Sequence, residues 1–212
     1  MIHVITAENR HLYEPQILEH HRLRHEFYID ERKWDGIESR DGGEYDQFDN
    51  EDTVYCLSLE NGRVLGGTRF YPTVKPHLLS SVWPVLADVR GIPVGPDILE
   101  WTRLFCVKER REGRYGGAVL GEIFAGSLDY CLENGVSSVT VVFEAWWLPR
   151  LQQHGWSMKP LGLPNLIKNE WWVAVQIPIN HAMVASTKAF YGLEGPVLTQ
   201  QGLSRPTTRK VA

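Results

Sequence analysis

The sequence predicts a mixed α/β fold, a single sheet with helices on both faces. Three observations carry this. Strand-like runs mostly alternate with helical stretches, which favours helices packed on a sheet. An early Asn61-Gly62 pair between two apolar runs marks a hairpin and so adds antiparallel pairing. No internal repeat or linker splits the 212 residues, so the chain reads as one domain over residues 1–212, long enough to bury a substantial core.

Residues 1–6 read as an edge strand. Pro15 opens a helix in its first turn, and Ile17, Leu18, His21, Arg24/His25 and Tyr28 form a partial stripe that carries it to about residue 29. His21 and His25 stand four apart, but no third ligand is spaced to complete a metal site, and a solvated polar face is expected. Residues 31–52 show little periodicity and hold Trp34, Gly36, Gly42 and Gly43 with a dense set of acids toward their end, Glu44, Asp46, Asp49, Glu51 and Asp52. An irregular stretch of about 20 residues is uncommon in a compact domain. It reads either as a solvated acidic loop or as a lid whose acids face a cation, and residues 24–52 are expected to form a mobile lid.

Residues 53–60 and 63–71 are the hairpin strands, and Gly66-Gly67 marks a bend or a close backbone approach. Arg69, inside the second strand, needs a carboxylate or a bound anion. Residues 80–89 fit a short helix capped by Ser80 or Ser81. The strand at 99–107 combines core-like composition with Glu100 and Arg103, which rarely sit in cores unless paired. A basic glycine turn follows at 109–117, and then the strongest helix, 118–132, stopped by Asn134-Gly135. Residues 137–143 form a β-branched strand, 147–154 a short helix, and 170–179 a last strand. The polar, proline-containing tail, about 195–212, is expected to be flexible.

Composition sets limits. A net charge of −4 speaks against non-specific nucleic-acid binding, which needs a basic face. Three cysteines without close metal spacing read as reduced thiols, and Cys106 as a small buried hydrophobe rather than a nucleophile. No stretch resembles a secretory h-region, a transit peptide or a membrane span, so a cytoplasmic protein without membrane association is expected, as a monomer or weak homodimer. Eight tryptophans favour thick cores or pockets for rings. In the turn, Arg110, Arg111, Arg114 and Gly116 precede a helix start, a combination that can cradle phosphate; an exposed basic turn without ligand is the plain alternative.

This arrangement resembles the acyl-CoA-binding core of the GNAT N-acetyltransferase fold over about residues 53–179. The resemblance implies a mainly antiparallel sheet in which the strand at 99–107 is bulged and splays from the strand at 137–143. The pantetheine chain would enter that gap, with pyrophosphate on the basic turn. Leu151-Gln-Gln-His-Gly-Trp matches the glycine-aromatic step after the fifth strand. A narrower match is carried by Leu-Arg-His-Glu-Phe-Tyr…Trp, Glu-Tyr-Asp-Gln-Phe-Asp, Gly-Gly-Thr-Arg-Phe and Glu-Trp-Thr-Arg-Leu-Phe, which place Arg24, Trp34, Asp46, Asp49, Arg69, Glu100 and Arg103. Their order and spacing resemble the LuxI-type acyl-homoserine lactone synthases (autoinducer synthases). The family's phenylalanine is replaced here by Tyr28, with Phe27 beside it, and either ring could serve.

The resemblance implies that the amine of S-adenosylmethionine attacks an acyl thioester and that methylthioadenosine then leaves as a homoserine lactone closes, giving a quorum-sensing signal. Both reactants are substrates, and no cofactor or metal is implied. Glu100, Arg69, Asp46 and Asp49 would be catalytic. Arg24, Tyr28, Trp34, Trp101, Thr102, Arg103 and Phe105 would bind S-adenosylmethionine: acids for the sulfonium, an arginine for the carboxylate, an aromatic ring for adenine. An α-amine has a pKa near 8, so a base must take its proton, and Glu100 is the candidate if burial raises its own pKa. Side chains 100 and 103 of a regular strand face opposite ways, so a shared site requires the bulge; a structural ion pair is the plain alternative. Thr140, Val142, Trp146 and Trp147 would line the acyl pocket, or the paired tryptophans simply pack. Glu-Ala-Trp-Trp-Leu-Pro-Arg-Leu resembles the BjaI/RpaI-like subgroup, which implies a branched or aryl acyl-CoA in preference to acyl carrier protein. The other readings are a GNAT-type acyltransferase for a different amine and a non-catalytic acyl-CoA-binding module.

Overall fold

A computed structural model describes residues 1–111 and 117–199. Eight strands form one sheet in the order β1 (Ile2–Ile5), β4 (Val54–Glu60), β5 (Arg63–Pro72), β6 (Ile98–Cys106), β7 (Ser138–Glu144), β10 (Glu170–Pro178) and β8 (Lys159–Pro160), with β9 (Asn165–Ile167) also on β10. Neighbours in this order are antiparallel except β6 and β7, which run parallel. A small hairpin of β2 (Glu38–Arg40) and β3 (Gly43–Tyr45) lies apart.

The two-residue period of the strands sorts their side chains onto the two faces. Cys56, Phe70 and Trp101 join the core under α3 (Gly117–Glu133) and α5 (His181–Tyr191). Tyr55, Leu57 and Phe105 join the core under α1 (Glu14–Arg24). Helix α3 has Val119, Ile123, Phe124, Leu128 and Cys131 inward, as its sequence stripe implies. Helix α5 starts at Asn180, whose side chain accepts from the Met183 N–H, and ends at left-handed Gly192.

Several expectations are corrected. The helix opened by Pro15 ends within two residues of the expected position, but its second part, His25–Glu31, is π-helical. The stretch read as an irregular loop contains the β2–β3 hairpin. The helix expected at 80–89 is a single turn, α2 (Leu78–Ser81), starting from His77, followed by a 3-10 turn at Pro84–Ala87. Pro84 cannot donate to an i−4 carbonyl and separates the two. The expected tail is anchored where it begins: Val197 and Leu198 are buried, and Ile2 exchanges backbone hydrogen bonds with Val197 and Thr199. The rest of that tail, 200–212, lies outside the described residues.

Two departures from regular pairing build the central cleft. On the β5 side, Gly67 pairs with Phe105 and Arg69 with Thr102, so Arg103 and Leu104 together oppose Thr68. This is a β-bulge, and Arg103 sits at φ +56°, a left-handed backbone that costs a non-glycine residue about 1–2 kcal/mol. On the β7 side, pairing covers only Ile98–Ser138, Leu99–Val139 and Glu100–Thr140. Past that rung the strands part. Gly66 permits the close approach beside the bulge, since a Cβ there would lie 2.7 Å from the Phe105 carbonyl oxygen.

Candidate active site

Three arginines and three carboxylates meet where α1, β3 and the turn after it cross β5 and β6. Arg24, from the last turn of α1, donates to Glu44 at 2.5 Å and grips Asp49 at 2.7 and 2.9 Å. Arg69 grips Asp46 at 2.6 and 2.9 Å, reaches Asp49 at 3.0 Å, and donates through Nε to Thr102 Oγ1 at 3.1 Å. Arg103 donates to Glu44 at 3.0 Å and Asp46 at 2.8 Å. The bulge is what lets Arg103 join, because it turns residues 102, 103 and 105 toward the α1 face that Glu100 also occupies.

The cluster balances three positive charges against three negative ones. Burial alone would protonate its acids. Against that, Arg103 and Arg24 hold Glu44 below the ordinary carboxylate range, Arg69 and Arg103 do so for Asp46, and Arg24 and Arg69 depress Asp49 furthest. Forked guanidinium geometry suits such buried pairs. Exposure divides the members. Arg24, Arg69 and Glu44 are sealed, with Asp49 at 2 %, whereas Asp46 keeps 12 % and Arg103 8 % of side-chain surface. Asp46 and Arg103 thus form the cluster's face toward the cleft.

Glu100 stands apart. No guanidinium bonds it; its oxygens accept from the backbone N–H groups of Leu78 and Leu79, at 2.9 and 2.6 Å, at the start of α2. Burial raises its pKa above the ordinary value, against the pull of those two N–H groups and of His77 and Arg69. A Glu100–Arg103 ion pair does not form, since Arg103 is occupied by Glu44 and Asp46.

The cleft, about 1060 Å³, passes through the sheet where β6 and β7 part. Its α1-side mouth is lined by Tyr28, Trp34, Asp46, Thr102 and Arg103. Tyr28 donates its hydroxyl to the Leu104 carbonyl at 2.7 Å, and Trp34 lies against Tyr28 with ring centres 4.7 Å apart. The far end is apolar and aromatic, with Trp101, Phe124, Trp147 and Trp156. Val142 and Trp146 also line the cleft, and Arg150 stacks over Trp146, which in turn stacks on Trp147. Arg32 and Glu144 form an ion pair across the gap.

Some expected ligand contacts are corrected. Phe105 is buried against His20 and Phe27 and does not line the cleft, so it packs α1 onto the sheet. Trp101 lines the cleft from the opposite face to the arginine cluster, so it meets the aromatic end and not the charged mouth. Thr140 sits behind the lining, at the last paired rung opposite Glu100, and its buried Oγ1 finds no hydrogen-bond partner among the described residues. Arg110 pairs with Glu60, and Arg111 with Glu31 at 2.5 Å, so these two cations are engaged. Arg114 and Gly116 lie outside the described residues. Cys106 is buried, and burial pushes its thiol up to about 11, as suits a packing role. His21 donates its Nδ1–H to the Glu44 carbonyl at 2.8 Å while His25 bonds Ser39, and among the described residues no group of side chains could hold a metal ion.

Glu44, Phe124 and Trp156 are not among the site residues that the sequence points to. Glu44 is one of a dense set of acids in a stretch without period, and only its ion pairs with Arg24 and Arg103 distinguish it. Trp156 did carry a signal, the glycine-aromatic step after α4 (Trp147–Gln153).

A cleft opened by a bulged, splayed strand pair, with a charged mouth and an apolar interior, defines an acyltransferase of the N-acetyltransferase type. The autoinducer synthase family model matches residues 8–187, and the chain belongs to that family. It is 47% identical over 179 residues to the isovaleryl-homoserine lactone synthase of Bradyrhizobium diazoefficiens, covering 84% of this chain and 80% of that protein. The structure of the CoA-dependent acyl-homoserine lactone synthase BjaI with SAM and isopentyl-CoA superposes with a TM-score of 0.90 at 43% identity, covering 96% of this chain and 94% of the other. A Lactobacillus plantarum protein assigned as an N-acetyltransferase shares the fold, at a TM-score of 0.56 and 13% identity over 84% of this chain and 99% of its own.

Proposed function

We propose that this enzyme acylates S-adenosylmethionine from an acyl-CoA with a short branched or aryl acyl group and closes the product to an acyl-homoserine lactone, a quorum-sensing signal. The observation that carries the reading is the cleft itself, with one ion-lined mouth and one aromatic interior joined through the sheet. A zwitterionic sulfonium amino acid suits the mouth. Asp46 would face its cationic groups, Arg103 its carboxylate, and Trp34 with Tyr28 its adenine. Arg24, Arg69 and Asp49 hold Asp46 and Arg103 in place from behind.

In the first step the substrate amine loses its proton and attacks the thioester carbonyl, and the C–S bond breaks to release CoA as its thiol. Glu100, 1 % exposed and just behind the cleft lining, takes that proton through a water. Each of its oxygens accepts one backbone N–H and so retains a second lone pair. Its raised pKa improves its match to an amine. In the second step the substrate carboxylate attacks the carbon γ to it, and the bond to the sulfonium sulfur breaks, releasing methylthioadenosine. The leaving group is neutral, so no acid is required there.

The likeness to BjaI, an isovaleryl-homoserine lactone synthase whose CoA-dependent structure holds SAM and isopentyl-CoA, supports CoA over acyl carrier protein and a short branched acyl group. Both reactants are substrates, and the chemistry needs no cofactor. The reading places the enzyme in the cytoplasm; among the described residues no helix is long and apolar enough to cross a membrane. Incubation with S-adenosylmethionine and a panel of acyl-CoAs, read by mass spectrometry, tests it. An N-acyl-homoserine lactone is expected, most abundant with the short branched or aryl donors. Acylation of a different amine without lactone would overturn it.

A further inference from the structure

Trp156 lines the aromatic interior of the cleft, and the way this ring is held bears on which acyl groups fit. Its indole is almost fully buried yet lines the cleft. It stacks on Trp101, with centres 5.8 Å apart and planes 30° apart, and meets Phe124 edge-on at 5.1 Å. Trp147 closes the opposite side, edge-on to Phe124 at 6.4 Å. Behind the ring, Trp156 Nε1–H donates to Thr187 Oγ1 at 2.8 Å, and that hydroxyl donates on to the Met183 carbonyl at 2.8 Å. Both partners lie on α5, a helix with no residue in the cleft lining.

We propose that Trp156 is the chain-length stop of the acyl site and that Thr187 is its positioning residue. The inference rests on the acyl-CoA reading of the cleft. Flat ring faces accommodate a branched or aromatic end. A longer straight chain has to displace the indole, which would break a buried hydrogen bond and leave its N–H unpaired. The stop is therefore stiff, because α5 fixes the ring from the side away from the ligand. Blocking or admitting a single methylene is worth about 10–200-fold in kcat/KM.

The test compares isovaleryl-CoA with octanoyl-CoA by free-thiol release, for the wild type and for W156L, W156F, T187V and T187S. W156L is expected to raise the octanoyl-to-isovaleryl ratio of kcat/KM at least about 10-fold, with W156F in between. T187V shifts the ratio in the same direction, and T187S, which keeps the hydroxyl, restores the wild-type ratio. KM for S-adenosylmethionine stays within about twofold throughout, since that end of the cleft is untouched. If W156L does not fold, W156F decides, because it keeps a ring in the core. A folded tryptophan variant with the wild-type ratio overturns the stop. An unchanged ratio in T187V, or an equal shift in T187S, overturns the positioning role. Thiol release reads acyl selectivity whichever amine accepts, so wild-type turnover without methylthioadenosine sinks the lactone-synthase reading alone. No turnover of any acyl-CoA overturns both.

Discussion

What neutralises a buried carboxylate decides what it can do. Asp46, Asp49 and Glu44 face guanidinium groups that hold them below the ordinary carboxylate range, which makes them poorer bases for an amine than Glu100. Glu100 faces two backbone N–H groups and is raised instead. Replacing Glu100 by Gln should therefore lower kcat by about 10²–10⁴-fold while KM for S-adenosylmethionine moves little; steady-state kinetics would show it, and unchanged turnover would remove Glu100 as the base. The same shift sets the acid limb of the kcat–pH profile. A base works only when deprotonated, so activity should fall with decreasing pH through a value above the ordinary 4.5 of glutamate. Asp49→Asn belongs to stability. It leaves Arg24 and Arg69 short of a buried counter-charge and should cost about 3–5 kcal/mol in a urea titration. These residues were visible as charges in apolar runs. Their partners were not, because a pairing between residues 44 and 103 depends on where β3 crosses β6.

The bulged β6 links the charged mouth to the interior. Its need was legible in the sequence, since Glu100 and Arg103 could share a face only across an irregularity. The Gly66-Gly67 step opposite was legible as a close approach. Gly66→Ala would put a Cβ 2.7 Å from the Phe105 carbonyl and 2.9 Å from Ile123, so β5 and β6 must move apart. Destabilisation by about 1–3 kcal/mol is expected from thermal unfolding, with activity reduced because Arg103 shifts too. What stayed hidden at this scale was irregular structure held by distant partners. The turn of α2 is fixed by Glu100, 21 and 22 residues downstream of Leu79 and Leu78, and no local pattern near Ser80 reports that. Phe105 and Trp101 were assigned to one ligand because both are rings near Arg103. The bulge and the pleat send them to opposite faces, and neither joins Asp46 and Arg103 at the charged mouth.

For the molecule as a whole, the buried charges and imidazoles set acid stability. Histidines 20, 21 and 154 are depressed, mainly by burial, His21 and His154 to about 4. A histidine neutral when folded and protonated when unfolded contributes stability in full above its unfolded value of 6.5. That contribution is lost as pH falls from there toward 4. The depressed acids of the cluster add stability that is present above their unfolded values of 3.8–4.5 and lost below them. Circular dichroism against pH should thus show stability declining from about 6.5 and collapsing steeply below about 4. A flat profile from 7 to 4 would contradict the buried neutral histidines. At this scale the layered fold was readable from the order of strands, hairpin and helices, and the splayed strand pair only from the resemblance to the N-acetyltransferase fold. The route of the cleft was not, because it depends on where β6 and β7 cease to pair.

The central claim is that both ends of one cleft act in sequence on one molecule of S-adenosylmethionine. A time course of CoA and methylthioadenosine release, with S-adenosylmethionine and isovaleryl-CoA, tests it most directly. The account predicts that the two appear in a 1:1 ratio and that neither forms when the other substrate is omitted. CoA released without methylthioadenosine would contradict it.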